Sequence, residues 1–208
     1  VSGSALPYIN ARELANLAVD IPPLPQQQRI AEVLGTIDDR IDLNGRMNRT
    51  LESIARAIFK SWFVDFDPVH KKMEGVEVGL PPDLAALFPD FLEETPGGEV
   101  PSSWSYEPTH KLLALAYGKA LRKNDRTPGE VPVFGSNGRI GWHDRALVQG
   151  PGIVVGRKGN PGTITWTETA CFPIDTTFYV MSKRDPGDLW YLRYALENLQ
   201  LDRLAADS

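Results

Sequence analysis

A single apolar repeat constrains this chain more than any other feature of its sequence. From position 30 to position 62, apolar and amide side chains recur in alternating steps of four and three residues. An average spacing of about 3.5 residues keeps one face of a helix turned toward a partner helix, which is the condition for a coiled coil. The pattern predicts a helix over 26–64 whose interface residues are Ile30, Leu34, Ile37, Ile41, Asn44, Asn48, Leu51, Ala55, Ile58 and Trp62.

The length of this helix and the amides on its seam indicate a partner outside the local fold. At about 1.5 Å per residue the helix would be roughly 58 Å long, more than a small domain can cover. Buried amides at Asn44 and Asn48 would reduce stability but fix the register and the number of partners. The alternative is an amphipathic helix that lies on its own domain.

Prolines, glycines and changes of periodicity divide the chain into four parts. These are a short mixed segment (1–20), the helical part (21–67), an acidic connector with a short apolar helix around Leu84–Leu92 (68–100), and a β-rich part (101–208). Short β-rich runs in the last part predict strands at 131–134, 140–142, 153–155, 163–166 and 176–181.

A closing helix is predicted after these strands, with Asp185 as its N-cap and Pro186 at its first position. Four leucines are expected to share one face of that helix: Leu189, Leu192, Leu196 and Leu199. The predicted fold class is α+β, with a long coiled-coil helix and a mixed, β-rich domain that has irregular loops and a C-terminal helix.

Charge is unevenly distributed along the chain. The net charge is -5, yet the window 111–158 contains nine basic and only three acidic residues. A local positive field of this kind can hold phosphate even in an acidic chain. The alternative is a solvated basic face without a partner.

The residues that most often carry catalysis show no useful arrangement. His70, His110 and His143 are far apart in the sequence and lack metal-ligand spacing. The single cysteine, Cys171, lies between apolar residues and is expected to be a small buried hydrophobic residue. One cysteine excludes an internal disulfide framework, and the start Val1–Ser4 lacks the features of a signal peptide, so a reducing, cytoplasmic setting is expected.

Three glycine-containing turns within the basic window predict a binding surface. They are Tyr117–Lys119, Phe134–Arg139 and Gly156–Gly159. Glycine allows a backbone to approach a ligand closely, while Arg, Lys, Ser and Asn donate hydrogen bonds to phosphates and base edges. The candidate DNA-binding residues are Lys119, Arg122, Lys123, Ser136, Asn137, Arg139, Arg157 and Lys158. The alternative is three ordinary hairpin turns with solubilising charges.

Several of these motifs resemble the specificity subunit of type I restriction–modification enzymes. Ile21–Ala31 resembles the entry into the family's central helix, and Ala57–Pro68 resembles its exit. The glycine turns resemble the recurring turns of the family's target-recognition domains. Ser2–Asn10 resembles the segment that closes such a domain, so the resemblance assigns 1–20 as a closing segment and 101–208 as a target-recognition domain.

The resemblance implies a non-catalytic subunit that reads DNA. Such subunits have two recognition domains separated by two conserved helices, which form an antiparallel coiled coil and set the spacing of a bipartite double-stranded DNA site. They dock the methyltransferase subunits, and the ATP-driven restriction and translocase subunit joins that complex. S-adenosylmethionine, ATP and Mg²⁺ are therefore expected to serve the partner subunits, with no cofactor in this chain.

The chain departs from the family pattern in its length, which is about half of the usual. It is therefore expected to be the middle of a longer subunit or a truncated one, with one coil helix and most of one recognition domain. Without the usual second helix, the coil helix is expected to pair antiparallel with a copy of itself. Two other classes stay open: a coiled-coil interaction module without independent DNA binding, and an enzyme that acts on DNA unaided.

Overall fold

The computed structural model describes residues 9–184 and 188–206. The chain divides into two compact units, Val1–Ile54 and Ala55–Ser208. Within the described residues, no helix combines the length and the apolar character needed to cross a membrane.

The long predicted helix is present. Helix α1 (Ala11–Ala15) precedes it, and helix α2 (Leu24–Phe63) is continuous over 40 residues. Its bounds agree closely with the prediction of 26–64. Neither Gly35 nor Gly45 interrupts it, because the backbone ladder of a helix tolerates isolated glycines at a cost of about 1 kcal/mol each.

The predicted seam of α2 is exposed throughout the first unit. The apolar seam side chains at Ile30, Leu34, Ile37, Ile41 and Leu51 are between 49% and 64% exposed. Within the first unit, no described element buries these side chains. A long apolar stripe in water is typical of a surface that another chain covers.

The last turns of α2 have the opposite environment. Phe59 is 7% exposed, and its ring centroid lies 5.4 Å from that of Tyr191 and 5.6 Å from that of Tyr194. Trp62, predicted as the last seam residue, is half-buried instead, with its ring centroid 5.6 Å from that of Phe88 in the same unit. These rings form an aromatic cluster that consists of Phe59, Trp62, Phe63, Phe66, Phe88, Trp104, Tyr191 and Tyr194.

The connector contains more regular structure than the sequence predicts. Two short helices and a hairpin occupy it: α3 (Asp67–Met73), α4 (Pro82–Ala85), β1 (Leu92–Thr95) and β2 (Gly98–Pro101). The short helix predicted around Leu84–Leu92 is present only as the single turn α4, which ends at Ala85. Phe88 is drawn into the aromatic cluster, and Leu92 pairs with Pro101 as the first residue of a strand.

The β-rich part of the second unit contains two sheets. One has the strand order β3-β9-β6-β7 and is antiparallel, and the other has the order β5-β4-β8. The five predicted strands are confirmed, while β3 and β8 were missed. The bounds are β3 Leu113–Tyr117, β4 Val131–Gly135, β5 Gly138–His143, β6 Gly152–Gly156, β7 Ile164–Thr167, β8 Phe172–Pro173 and β9 Thr177–Ser182. Helix α5 (Thr109–Leu112) and a 3₁₀ turn (Lys123–Asp125) flank β3.

The strand β6 separates two apolar cores because both of its faces are buried. Ile153 and Val155 belong to the core beneath helix α6 (Leu189–Asn198). Val154, between them, packs in the second core with Phe134 of the other sheet. The four-stranded sheet is therefore covered by a helix on one face and by the three-stranded sheet on the other.

The C-terminal helices agree in part with the prediction. Leu189, Leu192 and Leu196 are buried, but Leu199 is 51% exposed because it follows the last residue of α6. A second short helix, α7 (Leu201–Ala206), ends the described chain. The predicted N-cap Asp185 and the neighbouring Pro186 lie outside the described residues.

Candidate nucleic-acid interface

One segment, Pro173–Thr177 at the junction of β8 and β9, connects the glycine turns that the sequence singled out. We call it the central segment. The backbone N–H of Lys119 donates to the carbonyl oxygen of Pro173 at 3.1 Å. The N–H groups of Arg157 and Lys158 both donate to the carbonyl oxygen of Thr176, at 3.0 and 3.1 Å. Two turns that are far apart in the sequence are thus held on one strip of backbone.

The second turn, Phe134–Arg139, meets the same strip from the other sheet. The N–H of Ile174 donates to the carbonyl oxygen of Phe134 at 2.9 Å, so the turn between β4 and β5 begins beside the central segment. A shallow cavity of about 340 Å³ opens between this turn and the turn after β6. Its lining includes Ser136, Asn137, Gly159, Asn160, Ile174 and Thr176.

Close backbone approach explains two of the glycines. A Cβ atom at Gly118 would collide with the carbonyl oxygen of Ile174, and one at Gly156 would collide with that of Asn160. Any larger residue would therefore push the first or the third turn away from its neighbours. These glycines therefore allow other backbone segments of the protein to approach closely, so that the turns can lie side by side.

Six of the eight candidate DNA-binding residues belong to the three turns around the central segment: Lys119, Ser136, Asn137, Arg139, Arg157 and Lys158. Most of them are exposed, and Ser136 and Arg157 are half-buried. Arg122 and Lys123 are exposed beside the 3₁₀ turn that follows the first of the three turns. Within the described residues, no side-chain hydrogen bond or ion pair links either of these two to the central segment.

Two arginines of this surface are held over aromatic rings. The guanidinium carbon of Arg157 lies 4.9 Å from the ring centroid of Tyr117 and 5.7 Å from that of Phe178. The guanidinium carbon of Arg139 lies 4.7 Å from the ring of Trp142. The sequence singled out both arginines but not the pairing of either with a ring. The alternation of side chains along a strand does not identify which ring either arginine meets.

The surface also contains a carboxylate that sequence reasoning missed. Asp175 is exposed in the middle of the central segment. Within the part of the chain that the structure describes, it has no ion-pair partner. A carboxylate beside lysines and arginines lowers the local positive potential, so the surface is less uniformly cationic than the charge count of the window 111–158 indicates.

Two residues that the sequence weighed as chemical groups have structural roles. Cys171 is fully buried, and burial raises the pKa of its thiol to about 11, so the interpretation as a buried hydrophobic residue is confirmed. His143 is also buried, and its Nδ1 accepts a hydrogen bond from the backbone N–H of Thr127 at 3.1 Å. Among the described residues, no group of three or more His, Cys, Asp or Glu is arranged to hold a metal ion.

Comparison with known proteins gives matches to specificity subunits of type I restriction enzymes. The family model described as "Type I restriction modification DNA specificity domain" matches residues 1–53. The HindI specificity subunit of Haemophilus influenzae is 43% identical over 81 residues, which are 39% of this chain and 18% of that protein. The MjaIX specificity subunit of Methanocaldococcus jannaschii is 39% identical over 116 residues, which are 56% of this chain and 23% of that protein. The matches thus span about a fifth of the length of these curated relatives.

A solved structure shows the fold. The crystal structure of a type I restriction–modification S subunit from M. genitalium matches with a TM-score of 0.58 at 18% sequence identity. The match covers 89% of this chain and 46% of that one. The predicted fold class, a long helix with a β-rich domain, is confirmed. Over the residues that the sequence matches cover, the chain is similar to specificity subunits of type I restriction enzymes.

Proposed function

We propose that this chain recognises a DNA sequence as a specificity element of a type I restriction–modification complex. The observation that carries the proposal is the convergence of three cationic, glycine-containing turns on the central segment. Donors from different parts of the sequence are presented on one surface, as recognition of a duplex requires. Chemistry on the DNA is assigned to partner subunits, as the similarity to specificity subunits implies.

Binding measurements on two turn variants test this function. We expect Arg157→Ala and Asn137→Ala to weaken binding to a duplex selected by the protein more than binding to a shuffled duplex. Arg184→Ala is the matched control, because Arg184 is an exposed arginine beyond the opposite end of β9 from the central segment. Equal affinity of the unaltered chain and both turn variants for all duplexes would refute the assignment of these turns.

The proposed partners follow from the same function. Methyltransferase subunits would dock on this chain and supply the S-adenosylmethionine site, and a restriction and translocase subunit would supply the ATP and Mg²⁺ sites. All of these components would act on a bipartite double-stranded DNA target in the cytoplasm. Co-purification of the chain with the methyltransferase subunit of its own system tests the docking step.

The seam of α2 favours a second copy of this chain as the partner of the helix. Its positions are symmetric about Arg46: Asn44 corresponds to Asn48, and Ile41 corresponds to Leu51. In an antiparallel pair related by a two-fold axis at that point, the amides would face each other and each inner apolar residue would face an apolar residue. The outermost layer would join Ile30 to Trp62, which is already half-buried in its own unit.

Engineered cysteines test this antiparallel register. An Asn44→Cys chain and an Asn48→Cys chain should each stay uncrosslinked alone and should form a disulfide when the two are mixed. The native Cys171 gives little background because it is fully buried. Crosslinking of each variant with itself would indicate parallel pairing and would refute the register.

A coiled-coil interaction module without independent DNA binding is the second candidate, and the exposed seam of α2 favours it. The two candidates differ in one result. The unaltered chain would dock the methyltransferase subunit in both cases, but only the sequence reader would bind a duplex by itself.

A further inference from the structure

The cations around the central segment fall into two structural groups. Arg139 and Arg157 are each stacked on an aromatic ring, at 4.7 and 4.9 Å. Lys119 and Lys158 are exposed, and within the described residues neither lies over a ring. The rings beneath the arginines are accessible themselves, since Tyr117 is 64% exposed and Trp142 is 46% exposed.

The register of the four-stranded sheet fixes the first pair. Phe178 of β9 is the partner of Tyr117 on one side and of Val155 on the other. Residues that face each other across strands project from the same face of a sheet, and so do residues two apart in one strand. Arg157 follows Val155 by two residues and therefore projects beside Tyr117 and Phe178. The ring centroids of Tyr117 and Phe178 are 5.0 Å apart, so the two rings beneath Arg157 also pack against each other.

A β-bulge produces the second pair. Arg139 and Trp142 are three residues apart and would project from opposite faces of a regular strand. The register shifts here, because Val133 pairs with Gly141 whereas Phe134 pairs with Arg139. Ile140 is thus the extra residue, and the shift returns Arg139 and Trp142 to the same face.

A neighbouring arginine stabilises this bulge. The Nη1 of Arg126 donates to the carbonyl oxygen of Ile140 at 2.9 Å. The bulged residue therefore has a partner for its carbonyl group although it is unpaired in the strand ladder. The register of the four-stranded sheet thus places Arg157 over its ring, and a β-bulge places Arg139 over its own.

Stacking affects how a guanidinium can be used. Its five N–H donors lie in the plane of the group, so a ring beneath that plane leaves the donors free while it restricts the side chain. A guanidinium group restricted in this way loses less conformational entropy when it forms two hydrogen bonds to a guanine edge. An unrestrained ammonium group suits phosphate, where a point charge is sufficient and exact placement is not.

We propose that Tyr117 and Trp142 are positioning residues that hold Arg157 and Arg139 for reading guanine edges, whereas Lys119 and Lys158 contact phosphates. This assignment rests on the proposed function, because it requires that the chain binds DNA. It divides the surface into two base-reading positions and a set of positions that contribute affinity for any sequence.

Substitution of Tyr117 tests the assignment without a change of charge. We expect Tyr117→Leu to lower the preference for a selected duplex over one with its guanines replaced by adenine about ten-fold. Affinity for a shuffled duplex and the salt dependence of binding should not change, because every cation is retained. Tyr117→Phe keeps the ring and should therefore keep the preference. If Tyr117 served only to fill space, the phenylalanine and leucine variants would behave alike. Trp142→Leu and Trp142→Phe repeat the comparison at the second pair, so the test does not depend on the folding of one variant.

Lys158→Ala is the converse test. It should weaken binding to selected and shuffled duplexes alike and lower the slope of log affinity against log salt by about 0.9. An equal loss on both duplexes in Tyr117→Leu and Trp142→Leu, or a loss of base preference in Lys158→Ala, would overturn the assignment. Absence of duplex binding by the unaltered chain would instead overturn the proposed function itself.

Discussion

The exposed part of α2 and the surface around the central segment differ in how far apart in the sequence their residues are. The seam of α2 is a local pattern, in which each residue is followed by its neighbour three or four positions later. The surface around the central segment is assembled from turns that are dozens of residues apart and that meet only after two sheets have formed. A repeat can therefore be recognised residue by residue, whereas a surface assembled in this way depends on the complete fold.

The largest expected effect compares two environments of the same helix. Phe59 is buried in the aromatic cluster, whereas Leu43, on the same helix, is 58% exposed. Phe59→Ala should lower the free energy of unfolding of the second unit by about 3–5 kcal/mol, because it leaves a cavity between rings. Leu43→Ala should change it by less than about 0.5 kcal/mol. Urea denaturation followed by tryptophan fluorescence measures both, and equal midpoints would contradict the packing of the last turns.

The next effect concerns pairing of the exposed seam. Ile41→Glu combined with Leu51→Glu places opposed carboxylates at the inner layers of the antiparallel pair. The dissociation constant of the pair should rise by at least about 100-fold, since burial of an unpaired charge is costly. Sedimentation measures the change, and circular dichroism should show an intact second unit.

Leu43→Glu is the matched control for this pair of substitutions. Leu43 is similarly exposed but lies off the seam, so its replacement should leave association unchanged. A strict monomer for the unaltered chain across micromolar concentrations would contradict self-association altogether.

The sequence predicts the helix well because Ile30, Leu34 and Ile37 signal their shared face within two turns. It predicts strand β6 for a similar reason, since Ile153–Val155 is an uninterrupted β-branched run. The hairpin of β1 and β2 was missed because Leu92–Thr95 contains two glutamates and no β-branched residue before its last position. Propensity was overridden there by pairing with the neighbouring strand.

The candidate site was predictable only as a set of residue types. The turns that contain Lys119 and Arg157 were recognised from glycine and charge, but their common anchor on the central segment was not. Pro173 and Thr176 contribute through backbone carbonyl groups, which every residue has, so no side-chain pattern reveals them. The pairing of Arg139 with Trp142 depends on a bulge whose position follows from tertiary structure.

A smaller effect tests the assembly of the turns. Gly156→Ala introduces a Cβ atom that would collide with the carbonyl oxygen of Asn160, so the third turn must move. Duplex affinity should fall by about ten-fold, as expected when one or two contacts are lost. Gly152→Ala is the matched control, because its Cβ atom would meet only side-chain carbons at 3.5 and 3.6 Å. Equal affinities of the two variants, measured by fluorescence anisotropy, would contradict the close packing of the turns.

The smallest effect concerns the carboxylate in the central segment. Asp175→Asn removes an exposed negative charge from the central segment, which connects the cationic turns. Affinity for any duplex should rise about two- to three-fold at low salt, and the gain should diminish at high salt because charges are screened. Glu94→Gln, an exposed position in β1, should have no such effect. A decrease in affinity for Asp175→Asn would contradict the view that this carboxylate lowers the positive potential that attracts DNA.

The pairing of α2 and the reading of DNA by the turns are tested together by selection of duplexes from a randomised pool. A two-fold symmetric pair of chains should enrich two copies of one short sequence in inverted orientation, because the symmetry of a site mirrors that of its reader. The spacing between the copies should be constant, since a continuous helix of 40 residues sets it. Enriched duplexes with no shared sequence, or with one sequence repeated at variable spacing, would contradict this account.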